Sequence, residues 1–115
     1  MTILQPAPVD ATEAALLDEV VRRLVEELHP ERIYLFGSKA RGDWGPDSDY
    51  DFMILLPYDI ARSYEFIVRG RRSLRGLPLA KDILVMGAPR FEWLSGSEAS
   101  LPATVKREGK LLYAA

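Results

Sequence analysis

The 115-residue chain has no cysteine and a single histidine, His29. Disulfides and thiolate metal centres are thereby excluded, as is a zinc site built from several imidazoles. No stretch approaches the roughly 18 consecutive apolar residues of a membrane-spanning helix. The start, Met-Thr-Ile-Leu-Gln-Pro-Ala-Pro, lacks the basic-then-apolar layout of a secretory signal. The expected location is therefore cytoplasmic, and a membrane is not an expected partner. Charge of one sign is also scarce: 15 Lys and Arg against 17 Asp and Glu leave a net charge of −2. A free-standing nucleic-acid binder shows a basic excess, so direct nucleic-acid binding is not expected. No internal repeat or low-complexity tract is present.

With 48% hydrophobic and 28% charged residues, the composition is that of an ordinary globular protein. The length suits one domain, residues 10–115, preceded by a loose arm at 1–9 that holds two prolines. Asp10, with Glu13 three residues on, forms a capping-box-like start to a first helix. Leu16, Leu17, Val20, Val21, Leu24, Val25 and Leu28 follow at helical spacing, and Pro30 ends the helix. His29 reads as a residue of its exposed C-terminal end. Arg32 to Phe36 is strand-like, Ser38 to Arg41 a short helical turn, and Gly42 to Ser48 a loop. Asp49 to Leu56 is a second strand. Asp59 is placed to cap a helix running to about Arg75, with Ile60, Ala61, Tyr64, Ile67 and Val68 on one side. The cluster Arg69, Arg71, Arg72 and Arg75 near its end reads first as a solvated face that complements the helix dipole, and second as a contact for an anionic partner. Leu79 to Met86 is a third strand. A short helical piece with Phe91, Trp93 and Leu94 follows, then a helix capped by Ser100 and closed by Gly109. Leu111 to Tyr113 forms a terminal edge strand. Helices alternating with strands predict an α/β (α+β) fold, a small mixed sheet flanked by helices.

Three acids stand apart. Asp49 and Asp51 are two residues apart at the head of a strand, so both carboxylates project from one face. Turn chemistry is the bland account of an Asp-rich loop, but Asp51 lies within the strand pattern, where aspartate is disfavoured. Asp82 sits in an otherwise apolar strand. Its burial would cost several kcal/mol unless a cation compensated it: Lys39, Arg41, or a metal ion shared with Asp49 and Asp51. Carboxylates without histidine or cysteine make a hard-oxygen site suited to Mg2+, with Mn2+ possible, and to a phosphate-bearing substrate. Two ions about 3.5–4 Å apart would clamp a displacement at phosphorus. Upstream, Gly37 permits close backbone approach. The Gly37 and Ser38 amides, the Ser38 hydroxyl and the cation of Lys39 or Arg41 are placed to hold phosphates. The turn is not a P-loop, since no Gly-Lys-Ser/Thr ending follows.

Gly37-Ser38-Lys39-Ala40-Arg41-Gly42, then Ser48-Asp49-Tyr50-Asp51, then a lone strand acid at Asp82, resembles the nucleotidyltransferase superfamily that includes DNA polymerase β. The size, and the ending Glu108 to Tyr113, are similar to its minimal nucleotidyltransferase group. The resemblance implies a polymerase β palm-like fold, with Asp49, Asp51 and Asp82 as catalytic metal ligands and Gly37, Ser38, Lys39 and Arg41 at the nucleotide. It implies transfer of AMP from ATP with release of pyrophosphate. It also implies a partner protein of the HEPN class, a toxin that the nucleotidyltransferase, as antitoxin, modifies on tyrosine. Two other readings compete. In one the chain is a non-catalytic antitoxin or regulatory subunit that neutralises its partner by contact, through surfaces such as Trp44, Phe91, Trp93 and the arginine cluster. In the other it modifies a small molecule and needs no protein acceptor.

Overall fold

The computed structural model describes residues 11–42 and 48–115. The expected arm at 1–9, the Asp10 cap and the loop residues 43–47, with Trp44 and Asp47, lie outside the described residues. The elements in order are α1 (Ala11–Leu28), β1 (Arg32–Phe36), α2 (Ser38–Arg41), β2 (Tyr50–Leu56), α3 (Tyr64–Ser73), β3 (Lys81–Gly87), α4 (Ala88–Leu94), α5 (Leu101–Glu108) and β4 (Lys110–Ala114). The strands form one mixed sheet in the order β3-β2-β1-β4. β1 runs antiparallel to β2 and β4, whereas β2 and β3 run parallel. The expected α/β class with a mixed sheet holds, and β4 is the edge strand that its position predicted.

The pattern of β2 explains its central place. Phe52 to Leu56 are all buried, as a strand covered on both faces requires. Alternate residues serve two layers. Phe52, Ile54 and Leu56 join Ile33, Leu35, Ile83, Val85 and Leu112 against α1, whose Leu17, Val20, Val21, Leu24 and Leu28 are buried. Met53 and Leu55 turn to the other face, against Ala88 and Phe91 of α4 and Val105 of α5. Each fully buried Phe, Leu or Ile contributes about 1.5–3 kcal/mol of transfer free energy. Asp51, two residues before Met53 on this second face, is only half-buried.

α1 ends as its sequence predicted. His29 is exposed and adopts a left-handed φ of 49°, its N–H donating to the Val25 carbonyl at 3.0 Å. The ends of α1 and α3 then cap one another through arginines. Arg23 donates to the Ser73 and Arg75 carbonyls at 3.2 and 3.1 Å. Arg69 donates to the Glu27 carbonyl at 2.8 Å and to its carboxylate at 3.0 Å. Buried Gly70 brings the two helices close, with Leu24, Leu28 and Ile83 about its Cα.

Several boundaries differ from the sequence reading. α3 begins at Tyr64, and Asp59 does not cap it. The Asp59 carboxylate instead accepts from the Arg90 N–H at 3.0 Å, in the first turn of α4. Gly87 admits this contact, because a Cβ there would collide with Asp59. Tyr64 is 76% exposed, not part of an apolar stripe. Phe91 is core, and Trp93, two residues on and so across the helix from it, is 77% exposed. Ser100 caps α5 as expected, its hydroxyl oxygen accepting from the Ala103 N–H at 3.1 Å. α4 and α5 are tied to β1 by Glu92, which takes the Arg32 guanidinium at 2.8 Å and the Lys106 ammonium.

Candidate active site

The register of the two parallel strands sets the geometry. Asp51 stands directly opposite Asp82. On the other side of β2, Asp51 pairs with Phe36, the last residue of β1. Asp49 lies two residues before Asp51, just outside the strand, and is exposed. Strand alternation therefore gathers three carboxylates at one corner of the sheet. Their mutual influence is electrostatic. The Asp51 carboxyl is pushed above its ordinary value first by burial, then by the charges of Asp82 and Asp49, with Arg41 pulling the other way.

Gly37 closes the corner. Its φ of 77° and ψ of −158° lie in a region essentially confined to glycine. A Cβ at Gly37 would overlap Asp51 Oδ2. The Gly37 carbonyl accepts from the N–H groups of Ala40 and Arg41, both at 3.1 Å, which starts α2, and left-handed Gly42 ends it. The Gly-Ser turn predicted to hold phosphate is thus packed directly on the middle carboxylate.

The two cations of α2 diverge. The Lys39 ammonium lies 4.4 Å from the centre of the Tyr50 ring. Tyr50 points to the opposite face of β2 from Asp51, stacks on Phe52 and donates its hydroxyl to Glu13 at 2.9 Å. Arg41 is exposed, acts on Asp51 and approaches Glu108 at 3.8 Å. Arg41 is thus the α2 cation whose charge acts on Asp51.

Asp82 corrects an expectation. Its side chain is 61% exposed, so no burial cost has to be met. Its ion-pair partner is neither Lys39 nor Arg41. Arg71 reaches round the open edge of β3 and places Nη2 at 3.2 Å from Asp82 Oδ1. The sequence could not give this pair, because it depends on how α3 lies beside β3. Among the described residues no three acids or histidines converge closely enough to enclose a metal ion as they stand. The donor set nonetheless fits a hard divalent cation. Asp82 and Asp49 both act on Asp51 against its charge, and the arginines that offset Asp51 and Asp82, Arg41 and Arg71, are exposed and screened by water.

The parallel β2–β3 pair, the antiparallel β1, the helices on both faces and the acid-bearing corner define the class: an α/β domain of the nucleotidyltransferase type. The chain belongs to the nucleotidyltransferase domain family, whose sequence model matches residues 17–95. No curated protein sequence matches it. Solved structures share the fold. One described as a toxin-antitoxin with AMP-PNP is 20% identical, with a TM-score of 0.61 over 86% of this chain and 73% of that one. A putative nucleotidyltransferase from Sulfolobus solfataricus is 20% identical, with a TM-score of 0.59 over 90% and 84%. A mutant of the toxin-antitoxin MntA-HpeT is 17% identical, with a TM-score of 0.58 over 86% and 73%. At these identities the likeness is one of fold.

Proposed function

We propose that this nucleotidyltransferase domain transfers AMP from ATP to a hydroxyl, a tyrosine, of a partner protein, and acts as the antitoxin of a HEPN-type toxin. The observation that carries the reading is the register of Asp51 against Asp82, with Asp49 two residues away and Gly37 packed on Asp51. Such a corner offers oxygen ligands on one side and a backbone turn for phosphate on the other. The partner reading draws on neighbours described as toxin-antitoxin structures, one with AMP-PNP and one in which two aspartates spaced by one residue are replaced by glutamate.

In this reading Asp49, Asp51 and Asp82 hold divalent metal, two Mg2+ ions or Mn2+ in their place. The metal would supply Lewis-acid stabilisation of charge on the phosphoryl oxygens. The chain's own residues do the rest. Gly37 and Ser38 present backbone and hydroxyl to the outgoing phosphates, and Arg41 offsets their charge from the carboxylate side. Lys39 holds α2 against Tyr50. Asp82, exposed at the sheet edge, accepts the proton of the attacking hydroxyl. The acceptor oxygen–phosphorus bond forms, the bond to pyrophosphate breaks, and pyrophosphate leaves.

The test is incubation with Mg2+, α-phosphate-labelled ATP and the protein encoded beside it, using the unmodified chain and its Asp49→Asn/Asp51→Asn variant. Label on the neighbour's tyrosine, with the unmodified chain alone, is expected. A tight complex without label, neutralised equally by the variant, would replace catalysis with neutralisation by contact.

A further inference from the structure

At the C-terminal end of α3, a cavity of about 360 Å³ is lined by Arg71, Arg75, Gly76 and Lys81, with Leu79 and Ala80 beside them. Three cations share this space in a chain whose net charge is −2. Their convergence has a local cause. Arg71 and Arg75 are four residues apart across the helix end, and left-handed Gly76 (φ 91°) turns the chain toward Lys81. Among the described residues, neither the Arg75 nor the Lys81 side chain has an ion-pair partner. The third cation, Arg71, is engaged only by Asp82, and both members of that pair are more than half exposed. A pair so exposed is weakly held and yields to a competitor.

The cavity therefore lies beside the third carboxylate, on the outer edge of the sheet, away from the Gly37-Ser38 turn at β1. We propose that it binds an anionic oxygen group, phosphate or carboxylate, that the acceptor carries near its attacking hydroxyl. The assignment to the acceptor rests on the transfer reading above. Two features support it. Asp82 is the carboxylate next to the cavity and the one assigned the hydroxyl proton. Arg71 joins the two places: once Asp82 is occupied by a cation, the guanidinium is released to the cavity and completes a three-cation cradle. Arginine beside lysine suits this role, one fork-shaped donor with a mobile point charge.

The experiment is a titration of the whole chain with inorganic phosphate, at constant ionic strength set by chloride, followed by backbone amide NMR. Saturable shifts are expected at Gly76, Leu79, Ala80 and Lys81. The Arg75→Gln/Lys81→Gln variant should bind phosphate roughly tenfold more weakly, since each lost charge-assisted contact removes a substantial part of the affinity. The titration is repeated with Mg2+ and AMP-PNP at saturation. Phosphate binding that persists or tightens supports the acceptor assignment. Its loss would give the cavity to the nucleotide's own phosphates and overturn that assignment. No saturable shift at those four amides would overturn the site itself. Should AMP-PNP bind neither protein, the transfer reading fails, and with it the assignment to the acceptor, while the phosphate result still decides whether the anion site exists.

Discussion

Gly37→Ala is the perturbation that most sharply separates fold from site. The residue holds φ 77° and ψ −158°, a conformation that costs any other residue about 1–3 kcal/mol. The new methyl would also overlap Asp51 Oδ2, so the carboxylate must move or α2 must shift. The proper comparison is Gly42→Ala at the other end of α2. Gly42 is also left-handed (φ 84°), but among the described residues a Cβ there meets nothing within 4 Å. Its cost is backbone strain alone, roughly 1–2 kcal/mol. Each kcal/mol corresponds to about 3–5 °C in melting temperature for a chain of this length. Gly42→Ala should therefore lower the melting temperature by several degrees and leave Mn2+ affinity unchanged. Gly37→Ala should lower it further and, by displacing Asp51, weaken Mn2+ binding roughly tenfold or more. Thermal melts with Mn2+ titration by electron paramagnetic resonance read both. If the two variants melt together and bind Mn2+ like the unmodified chain, the turn does not rest on the carboxylate and the reasoning fails.

Other outcomes follow from the same contacts. Asp51→Asn removes a charge repelled by Asp82 and Asp49 and disfavoured by burial, so the variant should melt higher at neutral pH while transfer is lost; an unchanged or lower melting temperature contradicts this. Gly70→Ala should stabilise by about 0.5–1 kcal/mol in a urea titration, because the new methyl meets Leu24, Leu28 and Ile83 only at ordinary contact distances of 3.5–3.6 Å. The Glu92 carboxyl is held below its ordinary value by Lys106 and then Arg32. Its contribution is therefore complete above the ordinary carboxylate range and is lost as pH falls through the lowered pKa. Glu92→Gln should cost less than about 1 kcal/mol near neutrality, the group being partly exposed, and that cost should vanish in acid.

How far the sequence carried depends on the range of the signal. β1 and α2 match their expected bounds, since an apolar run ending in Gly-Ser and a basic turn closed by Gly42 are local features. The acids of β2 were legible because strand alternation acts within one strand. What faced Asp82 was not, because its partner Arg71 arrives from α3 through packing. The same limit explains Asp59. Its capping signal was real, but the helix it serves is α4, brought near by the β3 turn at Gly87. Lys39 and Arg41 could not be told apart in sequence. Only the fold shows that Lys39 lies over the Tyr50 ring and that the charge of Arg41 acts on Asp51.

The account stands on Asp49, Asp51 and Asp82 forming one metal-binding corner. The most direct measurement is Mn2+ binding by water-proton relaxation, with AMP-PNP present, for the unmodified chain, Asp49→Asn/Asp51→Asn and Asp82→Asn. The account predicts tight binding by the first, its loss in the second and a reduced number of bound ions in the third. Equal Mn2+ binding by all three would contradict it.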